Sequence, residues 1–237
     1  MNDLFIRGIR VRRDEISPDS YLRHIPAIAH LEEQTFRKPV TFFAGENGSG
    51  KSTLLEAIAI ASGFNPEGGT RNYRFSTYDS HSELCAHLTV IKSGARPRWG
   101  YFLRAESFYN VATKEKEYRE DRSLRLHEKS HGESFLLTAQ ANLKDHSLYF
   151  FDEPEAALSP QRQMTLLNEI YHCAKQGSQF FIATHSPILL GCPDAEILNF
   201  DDNLTPIEYE ETDSYRITKM FTDNRAQILR YLLEEEE

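Results

Sequence analysis

Short apolar runs alternate with longer segments of helical character in the parts of the chain that carry most of its motifs. Residues 4–11 alternate apolar and basic side chains, the two-residue period of a strand with one buried face. Residues 40–44 form an apolar, β-rich run that stops at Gly45, and a helical stretch follows from Lys51 to about Ala61. The pattern predicts a strand, a glycine-rich loop and a helix in succession.

Similar units recur further along the chain. Residues 147–151 (SLYFF) predict a buried strand, and Ser159 followed by Pro160 is a favourable start for a helix that runs to about residue 176. Residues 179–184 predict a third strand, and a second Ser-Pro pair at 186–187 predicts another short helix. Strands that alternate with helices favour a mostly parallel sheet with both faces covered.

The middle of the chain has a less regular pattern. Residues 87–91 and 99–104 predict strands, and residues 111–129 are rich in charge, which is typical of a solvated helix or a lid. We therefore expect an α/β fold with a mostly parallel sheet covered by helices. We also expect an antiparallel β part near the N-terminus and a small lid at about residues 105–130.

Composition and charge narrow the class of protein. The 237 residues favour one domain over residues 1–237. Lys and Arg number 27 against 36 Asp and Glu, a net charge of -9, which argues against a surface that mainly holds a nucleic-acid backbone. The three cysteines form no CxxC pair, and no stretch has the length of a signal-peptide core or a membrane span. We expect reduced thiols and a cytoplasmic location.

Residues 45–52, GENGSGKS, fit the pattern GxxxxGKS between a predicted strand and a predicted helix. Glycines allow successive backbone N–H groups to turn toward phosphate oxygens, and the helix dipole adds to their positive field. Lys51 would reach the β- and γ-phosphates, and the Ser52 hydroxyl would bind Mg²⁺. The motif predicts a nucleotide-binding P-loop.

A pair of acids ends the predicted strand at residues 147–151. Asp152 is placed to bind Mg²⁺ beside a P-loop, and Glu153 is free to polarise a water for attack on the γ-phosphate. Because a residue that precedes proline avoids the helical region, Pro154 is expected to keep Glu153 extended.

Two further motifs are weaker. Ser130 and Glu133, in SHGES, fit a capping box at a helix start, and the same geometry would present Ser130 and the Gly132 backbone to an anion. His185 ends the strand at 179–184. A histidine there is often a core residue, but beside two phosphate motifs we expect it to donate a hydrogen bond to the γ-phosphate.

The order GENGSGKST, SHGES, LYFFDEPEAALSP, ATHSP resembles the nucleotide-binding domain of the ABC ATPases, and in particular the short, stand-alone bacterial AAA-family ATPases related to SMC and repair-type heads. This resemblance implies that the P-loop residues hold ATP and Mg²⁺. The implied residues are Gly45, Asn47, Gly48, Ser49, Gly50, Lys51, Ser52 and Thr53.

The resemblance also assigns roles outside the P-loop. It makes Asp152 the acid on the metal side, Glu153 the general base and His185 the γ-phosphate switch, with residues 157–159 as the D-loop. Ser130 and Gly132 would be the signature contacts. In this family the signature of one subunit closes over the ATP of another, so the implied unit is a head-to-tail homodimer that acts on an unidentified effector protein.

The sequence departs from the family at three places. The signature has Lys129 before its serine, His131 in place of the first Gly, and Glu133 in place of Gln. No Gln occurs between Ser52 and Thr138, so Glu106 is the candidate substitute for the Q-loop glutamine as a Mg²⁺ ligand, or else an ordinary charged strand end. The 23 residues between Glu106 and Ser130 are too few for a transporter's helical subdomain or an SMC coiled coil.

Three functions therefore remain open. The first is a Mg²⁺-dependent ATPase that uses dimer closure to act on its partner, and the second is a nucleotide-gated switch with negligible turnover. The third, less favoured, is a nucleic-acid-associated ATPase. Its support is the basic N-terminal strand and a run of cationic residues interleaved with aromatics. That run comprises Lys92, Arg96, Arg98, Trp99, Tyr101, Phe102 and Arg104.

Overall fold

The computed structural model describes residues 4–70, 82–104 and 131–233. Its strands are β1 (Ile6–Val11), β2 (Glu33–Thr35), β3 (Val40–Ala44), β4 (Gly69–Thr70), β5 (Leu88–Lys92), β6 (Trp99–Arg104), β7 (Ser147–Asp152), β8 (Gln179–Ala183), β9 (Glu196–Asn199) and β10 (Thr205–Pro206). Its helices are α1 (Pro26–Ala29), α2 (Lys51–Ala61), α3 (Leu84–His87), α4 (His131–Asn142), α5 (Pro160–Lys175), α6 (Pro187–Leu190), α7 (Asp213–Asp223) and α8 (Arg225–Leu233).

The main sheet has seven strands in the order β10-β9-β3-β8-β7-β6-β4. The strands from β9 to β6 run parallel, and β10 and β4 pair antiparallel at the two edges. This arrangement confirms the predicted α/β fold with a mostly parallel sheet. Because all the central strands point the same way, the loops that follow β3, β7, β8 and β9 meet along one edge.

Large aromatic side chains fill both faces of the main sheet. Along β7, Phe150 lies on the face covered by α2, whereas Tyr149 and Phe151 lie on the face covered by α4 and α5. Phe150 stacks on Phe181 with ring centroids 5.4 Å apart, and Tyr149 stacks on Phe180 at 4.7 Å. Strands buried on both faces read as nearly continuous apolar runs, which explains why SLYFF and QFFIA lack alternation.

A small antiparallel sheet, in the order β2-β1-β5, forms the predicted N-terminal β part. Gln179 ties it to the main sheet, because its Oε1 accepts from the Ile6 N–H at 2.9 Å and its Nε2 donates to the Ile6 carbonyl at 2.8 Å. Gln179 is only 1% exposed. A single buried amide therefore satisfies both backbone groups of Ile6.

Helix starts follow the predicted caps. The Ser159 hydroxyl accepts from the Arg162 N–H ahead of α5, and the Ser186 hydroxyl accepts from two N–H groups of α6. Helix α5 ends at Lys175, within a residue of the prediction. The predicted strand at 87–91 starts one residue late, because His87 ends the short helix α3.

Some sequence predictions lie outside the described residues. The lid at about 105–130 and the Ser130 end of the capping box are among them. They remain predictions, as does the assignment of residues 1–237 to one domain.

Replacing Gln179 with leucine should destabilise the protein. The substitution leaves the Ile6 N–H and carbonyl buried without partners, at a cost of about 1–3 kcal/mol for each unpaired group. Urea unfolding followed by circular dichroism measures the change. Gln161→Leu, at an exposed position on α5, is the matched control, and equal stability of the two variants would contradict the role of Gln179.

The three cysteines are free thiols. Burial raises the pKa of Cys85 and Cys173, and raises that of Cys192 to about 11. A raised pKa means less thiolate at pH 8, so we expect the native thiols to react slowly with a disulfide reagent and to accelerate on unfolding in urea. A native thiol that reacts at pH 8 as fast as free cysteine would contradict this.

Candidate functional site

The predicted P-loop connects β3 to α2 as the motif requires. The strand ends at Ala44, the loop spans residues 45–50, and the helix begins at Lys51. The Lys51 Nζ donates to the carbonyls of Gly45 and Glu46, both at 2.8 Å, so the ammonium group lies inside the curve of the loop. Asn47 and Gly48 form its exposed tip.

Gly50 is required by both conformation and space. Its φ of 103° is in the left-handed region, which side-chain-bearing residues rarely adopt. A Cβ at this position would lie 2.6 Å from the Ile25 Cγ2 and 3.3 Å from the Ile28 Cδ1. The N-terminal segment that contains α1 therefore packs directly against the loop and fixes its curvature.

The loop has groups suited to a phosphate. The Ser49 Oγ is buried and has no hydrogen-bond partner among the described residues, and the α2 N-terminus lies beside it. Burial lowers the pKa of Lys51, an effect opposed by the carboxylates of Glu153, Asp201, Asp152 and Glu46. A triphosphate would supply acceptors for these donors and anionic partners for the ammonium group, so the residues present fit this ligand.

Ser52 and Asp152 come together where a Mg²⁺ ion would be expected. The Ser52 Oγ donates to the Asp152 Oδ1 at 2.7 Å, which joins the first turn of α2 to the end of β7. No group of three or more His, Cys, Asp or Glu side chains in the described ranges is arranged to hold a metal ion. A hydroxyl and one carboxylate nevertheless suit Mg²⁺, which usually completes its shell with waters and substrate phosphates. Thr53, the next residue of α2, is half-buried.

Glu153 has a conformation that the sequence did not predict. Its φ and ψ are 46° and 51°, so the expectation of an extended residue is wrong. Pro154 disfavours the right-handed helical region, and the chain turns through the left-handed region instead to enter the short 3-10 helix Pro154–Ala157. The Glu153 N–H still donates to the Ala183 carbonyl at 2.9 Å. Strained backbone of this kind is found most often at functional sites.

His185 lies near Glu153, as their positions at the ends of adjacent parallel strands require. The His185 Nε2 is 4.0 Å from the Glu153 Oε1, and it has no hydrogen-bond partner in the described part of the chain. The His185 backbone N–H donates to the Glu155 Oε1 at 2.6 Å, which holds the start of the 185–187 turn. Both side chains are partly exposed, although the His185 Nε2 itself is buried.

The structure describes only some of the remaining predicted site residues. Gly132 lies in the first turn of α4, whereas Ser130 and Glu106 lie outside the described residues. In the D-loop segment, Ala157 ends the 3-10 helix and Ser159 caps α5.

Two family profiles match the sequence. The family described as "AAA domain" matches residues 23–129, which include the P-loop, and the family described as "AAA domain, putative AbiEii toxin, Type IV TA system" matches residues 134–191, which include Asp152, Glu153 and His185. Together the two matches support a P-loop ATPase related to the AAA-family domains.

Solved structures with a similar fold include the SMC head domain from Thermotoga maritima, at 12% identity and a TM-score of 0.47 over 86% of this ATPase and 100% of that chain. They also include an ATP-binding cassette of an ABC transporter, at 16% identity and a TM-score of 0.45 over 95% of this chain and 98% of that one. No curated protein matches the sequence at a significant level.

Asp201 is a residue of the candidate site that sequence reasoning missed. Its carboxylate accepts from the Glu46 N–H at 3.1 and 3.0 Å, and a Cβ on Gly45 would lie 3.1 Å from both carboxylate oxygens. Asp201 follows β9, which pairs in parallel with β3 so that Asn199 lies opposite Ala44. No motif marks this residue, and only the strand order brings it to the P-loop.

A cavity of about 290 Å³ opens beside the P-loop. Its lining includes Gly45, Glu46, His185 and Asp201, and, from α7, Arg216. The sequence offered no signal that α7 approaches the loop, because the approach depends on tertiary packing that no local pattern marks.

Carboxylates neutralise the basic strand that supported a nucleic-acid role. Arg10 pairs with Glu33 at 2.8 Å, and Arg13 with Glu32 at 3.5 Å. Arg12 pairs with Glu15 at 3.1 Å. Three of the arginines at this end of the chain are therefore paired with carboxylates.

The second basic run is also interrupted. Arg98 is 3.9 Å from Asp145, Lys144 covers the Trp99 ring with its Nζ 3.8 Å from the ring centroid, and Arg104 points inward.

None of the helices in the described ranges combines the length and hydrophobicity that a membrane span requires.

Replacing Gly50 with alanine should weaken nucleotide binding by at least about tenfold, because the Cβ meets Ile25 and the left-handed conformation is costly for L-residues. Titration with a fluorescent ATP analogue measures the affinity. Gly94→Ala, where a Cβ meets nothing within 4 Å, is the control. Wild-type affinity in the Gly50 variant would show that the loop does not need this curvature.

Proposed function

We propose that this ATPase binds Mg-ATP in its P-loop and hydrolyses it at the interface of a head-to-tail homodimer, and that the cycle acts on a partner protein in the cytoplasm. The observation that carries the proposal is the 2.7 Å contact between Ser52 and Asp152 next to the loop that encloses the Lys51 ammonium group. A hydroxyl, a carboxylate and an ammonium group next to one loop suit a metal-bound triphosphate.

Nucleotide binding would exchange contacts that already exist. Lys51 would leave the carbonyls of Gly45 and Glu46 for phosphate oxygens, a change from neutral to charge-assisted hydrogen bonds. Mg²⁺, when bound, neutralises charge on the phosphate oxygens, and Ser52 and Asp152 are the residues that would hold it. The residues proposed to hold ATP are Gly45, Asn47, Gly48, Ser49, Gly50, Lys51, Ser52 and Thr53.

Glu153 is proposed as the general base. It lies one residue beyond the buried Asp152, and its side chain is 45% exposed, so it has access to water. Its position 4.0 Å from the His185 Nε2 supports a shared role, in which His185 contacts the γ-phosphate and the carboxylate takes the proton of the attacking water.

The dimer part of the proposal depends on residues at or beyond the limits of the described chain. Ser130 and Gly132 of one subunit would contact the ATP of the other, and Glu106 would contribute to the metal shell. The N-terminus of α4, where Gly132 lies, offers backbone N–H groups for such a contact. A nucleotide-gated switch would use the same site without turnover.

Glu153→Gln should bind Mg-ATP within about threefold of wild type but lower the rate of phosphate release by about a hundredfold or more, because the amide does not accept the proton. Lys51→Ala should lose binding and hydrolysis together, because no cation remains in the loop. Steady-state phosphate release and nucleotide titration measure the two properties separately.

Glu32→Gln, at a side chain that is 81% exposed and distant from the loop, is the matched control. Turnover in wild type no higher than in Lys51→Ala would favour the switch over the enzyme. Light scattering of Glu153→Gln with Mg-ATP should show a dimer, and a monomer under those conditions would contradict the sandwich arrangement.

A further inference from the structure

Four polar side chains lie in a row of contacts below the P-loop, Ser52 to Asp152 to Arg104 to Glu56, and the helix that carries both Ser52 and Glu56 completes a ring. Ser52 and Glu56 are four residues apart on α2, so they lie on the same face of the helix. Arg104 and Asp152 are paired directly across the parallel strands β6 and β7. The ring therefore joins one helix to two strands of the main sheet.

Arg104 bridges the two carboxylates of this ring. Its Nη1 donates to the Glu56 Oε2 at 2.5 Å and to the Pro66 carbonyl at 3.1 Å. Its Nε lies 3.5 Å from the Asp152 Oδ2, an ion pair without a hydrogen bond among the described residues. The other oxygen of Glu56 accepts from the Ser82 N–H at 2.9 Å. The other oxygen of Asp152 accepts from Ser52.

The ring is shielded from solvent. The side chains of Arg104, Asp152 and Glu56 are 18%, 9% and 10% exposed. Buried carboxylates are costly unless they are paired, and two of them beside one hydroxyl form a ready ligand set for a divalent cation. The guanidinium group satisfies Glu56, and its charge repels a second cation.

We propose that Arg104 is a positioning residue that keeps Glu56 from acting as a metal ligand, while its Nε lies in ion-pair contact with the second oxygen of Asp152. A metal ion at Ser52 then meets a single carboxylate oxygen and depends on the nucleotide's phosphates for the rest of its shell. The consequence is that the protein retains little divalent metal without nucleotide. This inference rests on the proposed role of Ser52 and Asp152.

The test measures Mn²⁺ binding to the full chain without nucleotide, by electron paramagnetic resonance. Arg104→Gln removes the positive charge and frees Glu56, so the affinity for Mn²⁺ should rise by about tenfold or more. Arg104→Gln combined with Glu56→Gln should return to the weak binding of the wild type, and Arg104→Lys, which keeps the charge, should also bind weakly.

Each outcome distinguishes positioning from a structural role. If Arg104 only stabilises the fold, Arg104→Gln and Glu56→Gln would both leave Mn²⁺ binding weak and lower the melting temperature, and the proposal would be overturned.

If Arg104→Gln does not fold, the Glu56→Gln variant by itself tests the proposal. It leaves Arg104 to pair with Asp152 only, so the Mg²⁺ concentration needed for half-maximal binding of an ATP analogue should rise by at least about threefold. An unchanged Mg²⁺ requirement would overturn the proposal.

Failure of this inference is distinguishable from failure of the proposed function. If no variant binds Mn²⁺ tightly but Mg-ATP still binds to the wild type, Arg104 does not control the metal, whereas the P-loop assignment stands. If the wild type binds no Mg-ATP at all, the proposed function itself fails.

Discussion

The contact between helix α2 and strand β7 is the constraint on which the rest of the site depends. The Ser52 hydroxyl meets the Asp152 carboxylate only because the P-loop places the first turn of α2 at the carboxyl edge of the sheet, where β7 also ends. Parallel strands place every such end on the same side. The residues of three separate motifs therefore converge at this edge without any long loop.

Carboxylates outnumber the Lys51 ammonium group at this edge. The Lys51 ammonium group is surrounded by the carboxylates of Glu46, Asp152, Glu153 and Asp201, and the loop carbonyls occupy its hydrogen bonds. Arg104 neutralises a further acid below the loop. A triphosphate with its metal ion brings both signs of charge, so it can enter a site of this kind without leaving a buried charge unpaired.

Local chemistry set the elements that the sequence predicted well. The strand at Val40–Ala44 and the helix at Lys51–Ala61 have the predicted bounds, because a buried parallel strand and a glycine loop leave few alternatives. The starts of α5 and α6 were predicted equally well from their Ser-Pro pairs, since a capping hydrogen bond forms within one helical turn. The conformation of Glu153 was not predicted, because the following proline excludes only one backbone region and tertiary contacts determine which of the others is adopted.

The sequence by itself determined the P-loop, the acid pair, the histidine after β8 and the alternation of strands and helices, because these depend on residues within a few positions of one another. Only the tertiary structure decided that Asp201 reaches the P-loop and that Arg104 joins Glu56 to Asp152. It also decided that carboxylates pair with the basic strand. These contacts link residues far apart in the chain, and strand order, which no local pattern encodes, brings them together.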